Sequence, residues 1–66
     1  MNKYLTAEEV LKLIEDLAKS QGLYCRLLES IREMEEFYPE HFESYKRALE
    51  TQRFKDPVDV VMFFES

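Results

Sequence analysis

Five large apolar residues follow one another near the C-terminal end of this 66-residue chain, from Val60 to Phe64. Successive residues of a helix are rotated by about 100°, so five in a row reach every side of the helix. In a strand, the same residues would fill both faces. Because a one-sided core in a small domain cannot cover all five, we expect the segment to pack partly on its own chain and partly on a partner.

The cysteine and histidine content limits how a chain of this size can be stabilised. Cores of chains below about 70–80 residues rarely supply more than roughly 3–5 kcal/mol. Cys25 is the only cysteine, which excludes an intramolecular disulfide, and His41 is the only histidine, which leaves no His/Cys cluster for structural zinc. Self-association is the remaining means of stabilisation, so we expect a homodimer, with no cofactor.

Charge and hydropathy argue against two further classes of protein. A net charge of −5 opposes the basic surface that nucleic-acid binding requires. No apolar stretch approaches the roughly 18 residues of a membrane-spanning helix. The first residues lead into a charged helix rather than a signal-peptide core, and together with the lone thiol they predict a cytoplasmic location.

Capping signals predict where the first two helices begin and end. Thr6 and Glu9 have the spacing of a capping box, and Gly22 is a typical stop signal. A second helix is predicted from about Leu23, and it ends before Pro39, because proline disfavours helical geometry in the residue that precedes it.

Two prolines mark the starts of the remaining helices. Pro39 suits the first turn of a third helix, and Asp56-Pro57 suits the start of a short fourth, although the β-branched and aromatic residues that follow also fit a strand. We expect one domain over residues 1–66 with an all-α fold, a compact three-helix bundle with a short fourth C-terminal helix. The predicted core consists of Val10, Ile14, Leu17, Leu27, Leu28, Ile31, Tyr45 and Leu49.

The fourth helix is expected to divide between core and partner surface. Val61 and Phe64 are three residues apart and therefore share a face, which we predict to be inward. Met62 and Phe63 are the main candidates for a partner interface, since methionine makes adaptable contacts and phenylalanine supplies a large anchor. Val60 is assigned to the same interface as an intermediate position. The leading interpretation is a non-catalytic protein-interaction module that self-associates through this segment.

Motifs for catalysis are missing from the sequence. It contains no Gly-rich phosphate loop and no G-x-S-x-G or H-E-x-x-H pattern. Cys25 has no activating base near it in sequence. The five glutamates between positions 33 and 43 are interpreted as a solvated face rather than as catalytic carboxylates. We expect no enzymatic activity. A further alternative is that this acidic stretch inhibits a nucleic-acid-binding enzyme.

A helix-turn-helix pattern supports a different alternative, a small DNA-binding regulator. Residues 18–24 resemble the turn region of phage Cro-type repressors, with helices at about 7–20 and 23–36. In that motif the second helix would enter the major groove. Two glutamates of this helix, Glu29 and Glu33, would then face the phosphates. The candidate DNA contacts are Tyr24, Arg26 and Ser30.

Two stretches, residues 17–28 and 54–61, together resemble small helical proteins that are encoded in mobile elements of Gram-positive bacteria. The two stretches cover under a third of the chain. The resemblance implies a bacterial cytoplasmic setting and an accessory role. It transfers no functional residue, because this group of proteins has no assigned activity.

Overall fold

A computed structural model describes residues 3–65, which form four α-helices and, within this range, no strand. The helices are α1 (Ala7–Gln21), α2 (Cys25–Phe37), α3 (Pro39–Thr51) and α4 (Pro57–Glu65). Helix α1 packs against each of the other three, and α2 also packs against α3. The predicted all-α bundle with a short fourth helix is therefore confirmed, and the ambiguous last segment is helical.

Helix α1 begins and ends at the predicted caps. The Thr6 hydroxyl accepts a hydrogen bond from the Glu9 N–H at 3.2 Å, and the Glu9 carboxylate accepts one from the Thr6 N–H at 2.9 Å. At the other end, Gly22 has a φ of 67°, and its N–H donates to the Ala18 carbonyl at 3.1 Å. Glycine adopts this left-handed conformation without the strain that a Cβ would cause.

Helix α2 begins at Cys25, two residues after the predicted start at Leu23. The Leu23 N–H donates to the Leu17 carbonyl at 3.3 Å, so Leu23 still belongs to the closure of α1. Tyr24 then adopts a φ of 60°, which is left-handed and unfavourable for a residue with a side chain. Contacts between Tyr24 and α4 accompany this conformation, as described below.

Six buried residues form the core, and all four helices or their connections contribute to it. Four of the eight predicted core residues belong to this cluster, while Leu27, Leu28 and Tyr45 are partly buried and pack against it. Leu17 is also only partly buried and lies outside the cluster. The prediction missed two members, Phe54 and Val60. The core cluster consists of Val10, Ile14, Ile31, Leu49, Phe54 and Val60.

Phe54 connects α3 to α4 and joins this connection to the start of the chain. Arg53 has a φ of 56°, which turns the backbone after α3. The Phe54 side chain is 4% exposed, and its carbonyl accepts a hydrogen bond from the Leu5 N–H at 2.8 Å. Phe54, in the connection between α3 and α4, is therefore a core residue that fixes where α4 begins.

The predicted start of α4 is correct. The Asp56 carboxylate accepts a hydrogen bond from the Asp59 N–H at 3.1 Å, and the Asp59 carboxylate accepts one from the Lys55 N–H at 2.9 Å. Pro57 occupies the first helical position, where its missing N–H removes no helical hydrogen bond.

Candidate interaction surfaces

Helix α4 has one side in the core and another at the surface. Val60 is fully buried, and Phe64 is partly buried with its ring centroid 5.7 Å from that of Tyr24. Val58 and Met62 are 63% and 64% exposed, and Phe63 is 44% exposed. We call Val58, Met62 and Phe63 the α4 outer face. It contains both residues, Met62 and Phe63, that were the main candidates for a partner interface.

The assignment of Val60 to the partner interface is wrong, because Val60 is 0% exposed within a single chain. The prediction paired Val61 with Phe64 as the inward residues. Residues three and four apart both share a helix face, so spacing alone does not separate this pair from Val60 and Phe64. In the structure Val60 is the inward residue of α4, and Val61 is partly buried at the side.

Aromatic contacts fix the outer face at its C-terminal end. The Phe63 ring packs edge-on against Phe54 at 5.4 Å and against Phe64 at 5.1 Å between centroids. Val58 and Met62 are four residues apart, so they lie one helical turn from each other. The outer face therefore combines one anchored aromatic ring with two exposed aliphatic side chains.

Tyr24, a candidate DNA contact, packs instead against α4. Its hydroxyl donates a hydrogen bond to the Glu65 carboxylate at 3.0 Å, and its ring contacts Phe64. Partial burial and the hydrogen bond to Glu65 raise the pKa of Tyr24. These contacts occupy the start of α2 and oppose a role for Tyr24 in reading DNA. The other two candidates, Arg26 and Ser30, are exposed.

The exposed residues of α2 are predominantly acidic. Four glutamates and two arginines are exposed along this helix. One of the arginines, Arg32, is engaged with Glu15 of α1 at 2.7 Å. A helix with this charge repels the phosphates of a DNA groove. The four acidic side chains belong to Glu29, Glu33, Glu35 and Glu36.

A second apolar surface lies between α2 and α3. We call it the α2–α3 groove. It is an open depression with a volume of about 530 Å³. Phe37 and Tyr38, at the junction of the two helices, are 65% and 57% exposed. This groove was not predicted, although two adjacent aromatic residues before Pro39 were a signal for it in the sequence. Its lining residues are Met34, Tyr38, His41, Ser44 and Tyr45.

Two polar groups border this groove. The Tyr45 hydroxyl oxygen is buried without a hydrogen-bond partner among residues 3–65, and burial raises the pKa of Tyr45. A buried hydroxyl without a partner costs roughly 1–3 kcal/mol. The His41 ring lies on the exposed side and packs edge-on against Tyr38, with 6.0 Å between centroids.

The side chains considered for catalysis lie at the surface and do not form a shared site. Cys25 is exposed, with its Sγ 4.0 Å from the Ala18 carbonyl oxygen. Glu43 forms an ion pair with Lys46 at 3.0 Å, and this hydrogen bond raises the pKa of Lys46. In the part of the chain that the structure describes, no three His, Cys, Asp or Glu side chains are placed to hold a metal ion.

None of the helices within residues 3–65 combines the length and the apolar character needed to cross a membrane. No family model matches the chain, and comparisons with curated proteins and with solved structures give no match either.

Proposed function

We propose that this chain is a non-catalytic protein-interaction module that self-associates through the α4 outer face. The observation that carries the proposal is the two-sided packing of α4. Val60 completes the core, while Met62, two residues later, is 64% exposed. Exposed apolar side chains that lie together on one element are typical of interaction sites, whereas scattered ones need no explanation.

The total accessible surface of the chain is larger than the average for its mass. The accessible surface is 5178 Å². A folded monomer of 8.0 kDa exposes about 4,450 Å² on average, so this chain has an excess of about 700 Å². Each partner in a standard interface buries roughly 800 Å². The excess is therefore similar in size to the area that one partner buries in a standard interface.

Charge around α4 limits how tightly two copies associate. Asp59 and Glu65 belong to the same helix as the outer face, and each chain has a net charge of −5. Two copies therefore repel each other over distances within the Debye length, which is about 10 Å at 0.1 M salt. Because the apolar surface is also small, we expect a dissociation constant of about 100 µM.

Light scattering over a range of concentrations tests this proposal. The molar mass should rise from 8.0 kDa towards twice that value between about 10 µM and about 1 mM protein. Added salt should strengthen the association severalfold, since it screens the repulsion between the two acidic chains. A molar mass that stays at the monomer value at every concentration and salt level contradicts self-association.

The cellular setting is proposed from the resemblance of residues 17–28 and 54–61 to proteins of bacterial mobile elements. On this basis the chain acts in the bacterial cytoplasm in an accessory role. A DNA-binding function is less well supported, because Tyr24 is engaged by α4 and the exposed charge of α2 is acidic. The acidic surface instead favours a basic partner.

A further inference from the structure

All five residues that line the α2–α3 groove come from one acidic segment of the chain. Residues 33–45 contain every lining residue, together with five glutamates and no lysine or arginine. The formal charge of this segment therefore equals the net charge of the entire chain. The apolar groove and the strongest concentration of negative charge occupy the same two helices.

One of the neighbouring cations, Lys46, pairs within the acidic segment, and the other, Arg32, pairs outside it. Arg32 pairs with Glu15 of α1 at 2.7 Å. Lys46 pairs with Glu43 at 3.0 Å and with Glu8 of α1 at 3.8 Å. Apart from Glu35, whose charge also acts on Lys46, three exposed carboxylates of residues 33–45 take part in no ion pair within residues 3–65. These carboxylates belong to Glu33, Glu36 and Glu40.

The shape of the groove suits a side chain presented by another helix. The groove is open, whereas sites for small molecules typically bury 70–90% of the ligand. Met34 supplies an adaptable side chain and Tyr38 an exposed ring, and the exposed Phe37 directly precedes Tyr38 in the chain. Aromatic side chains in such positions frequently supply much of the binding energy at protein interfaces.

We propose that the α2–α3 groove binds a basic amphipathic helix of another protein. An apolar side chain of that helix enters between Met34 and Tyr45, while its lysines or arginines face the unpaired carboxylates of Glu33, Glu36 and Glu40. Helix-in-groove recognition of this kind reads apolar residues at a spacing of three or four. The complementary charge increases the association rate and excludes acidic competitors.

A second copy of this chain fits the groove poorly. The exposed apolar residues of α4 stand beside Asp59 and Glu65, so their insertion would bring carboxylates towards the exposed glutamates of α2 and α3. Charge complementarity therefore favours a basic partner over self-association at this site. The inference does not depend on the proposed contact through α4.

Two synthetic helical peptides test the proposal on the full chain. One is built from leucine, alanine and lysine with leucine at helical spacing, and the other replaces each lysine with glutamate. Titration followed by NMR and fluorescence anisotropy should give saturable binding of the lysine peptide, with a dissociation constant of roughly 10–100 µM. The largest shifts should occur at Met34, Tyr38 and Ser44. The glutamate peptide should bind at least tenfold more weakly.

Matched variants distinguish binding in the groove from attraction of the lysine peptide to the overall negative charge of the protein. Ser44 lines the groove and Ser20 is exposed at the end of α1, so Ser44→Arg and Ser20→Arg add the same charge at different places. Ser44→Arg should weaken binding of the lysine peptide at least tenfold, and Ser20→Arg by less than about threefold. Equal weakening by both variants, equal binding of both peptides, or shifts centred on α4 would overturn the proposal. Unchanged peptide binding by a monomeric Met62→Glu variant would show that the two surfaces act independently.

Discussion

Replacement of Met62 by glutamate is expected to make the chain monomeric at concentrations at which the unchanged chain is largely dimeric. Met62 is 64% exposed, and the new carboxylate would lie beside Asp59 and Glu65 of the same helix. Loss of the apolar contact together with added repulsion should cost about 2 kcal/mol of association free energy, a rise of roughly 30-fold in the dissociation constant. Light scattering measures the change.

The same variant should fold normally, because an exposed substitution usually alters the free energy of unfolding by less than about 0.5 kcal/mol. Phe37→Glu is the matched control, since Phe37 is 65% exposed and lies at the end of α2. It adds the same charge to the chain outside the α4 outer face, so its dissociation constant should stay within about threefold of the original. If both variants weaken association equally, net charge rather than the α4 outer face controls it.

Truncation of Val60 to alanine should produce the largest loss of stability on α4. Val60 is 0% exposed, and removal of its two methyl groups leaves a cavity in the core. We expect a loss of about 2 kcal/mol in the free energy of unfolding. In a domain of this size such a loss lowers the melting temperature by roughly 10 °C. Urea and thermal denaturation at a few micromolar protein, where the chain is monomeric, measure both quantities.

Val58→Ala is the matched control for this truncation. Val58 is the same residue type, two positions earlier on the same helix, and is 63% exposed. Its replacement should change the free energy of unfolding by no more than about 0.5 kcal/mol. Similar losses for the two variants would contradict the assignment of Val60 to the inner side of α4.

Helix starts that depend on neighbouring residues were predictable from the sequence. The capping box of Thr6 and Glu9 and the Asp56-Pro57 start involve partners three or four residues apart. The start of α2 was not predictable in the same way. Tyr24 has a positive φ and donates a hydrogen bond to Glu65, which is 41 residues away in sequence.

The local sequence pattern could not define which residues of α4 point towards the core. Five successive apolar residues allow several inward faces, and the choice depends on where the chain enters the helix. That entry is fixed by the buried Phe54 and its hydrogen bond to Leu5. Without this entry point, the spacing of Val61 and Phe64 suggested the wrong inward pair, and Val60 was assigned to the interface rather than to the core.

Methyl NMR of the unchanged chain during dilution tests most directly whether the outer face of α4 is an interface between two copies. Met62 and Met34 carry the same reporter group, one on the α4 outer face and the other in the α2–α3 groove. Between about 1 mM and about 20 µM protein, the Met62 methyl signal should shift continuously with concentration, and the Met34 signal should stay constant. Concentration-dependent shifts at Met34 without shifts at Met62, or no shifts at either methionine, would contradict self-association through α4.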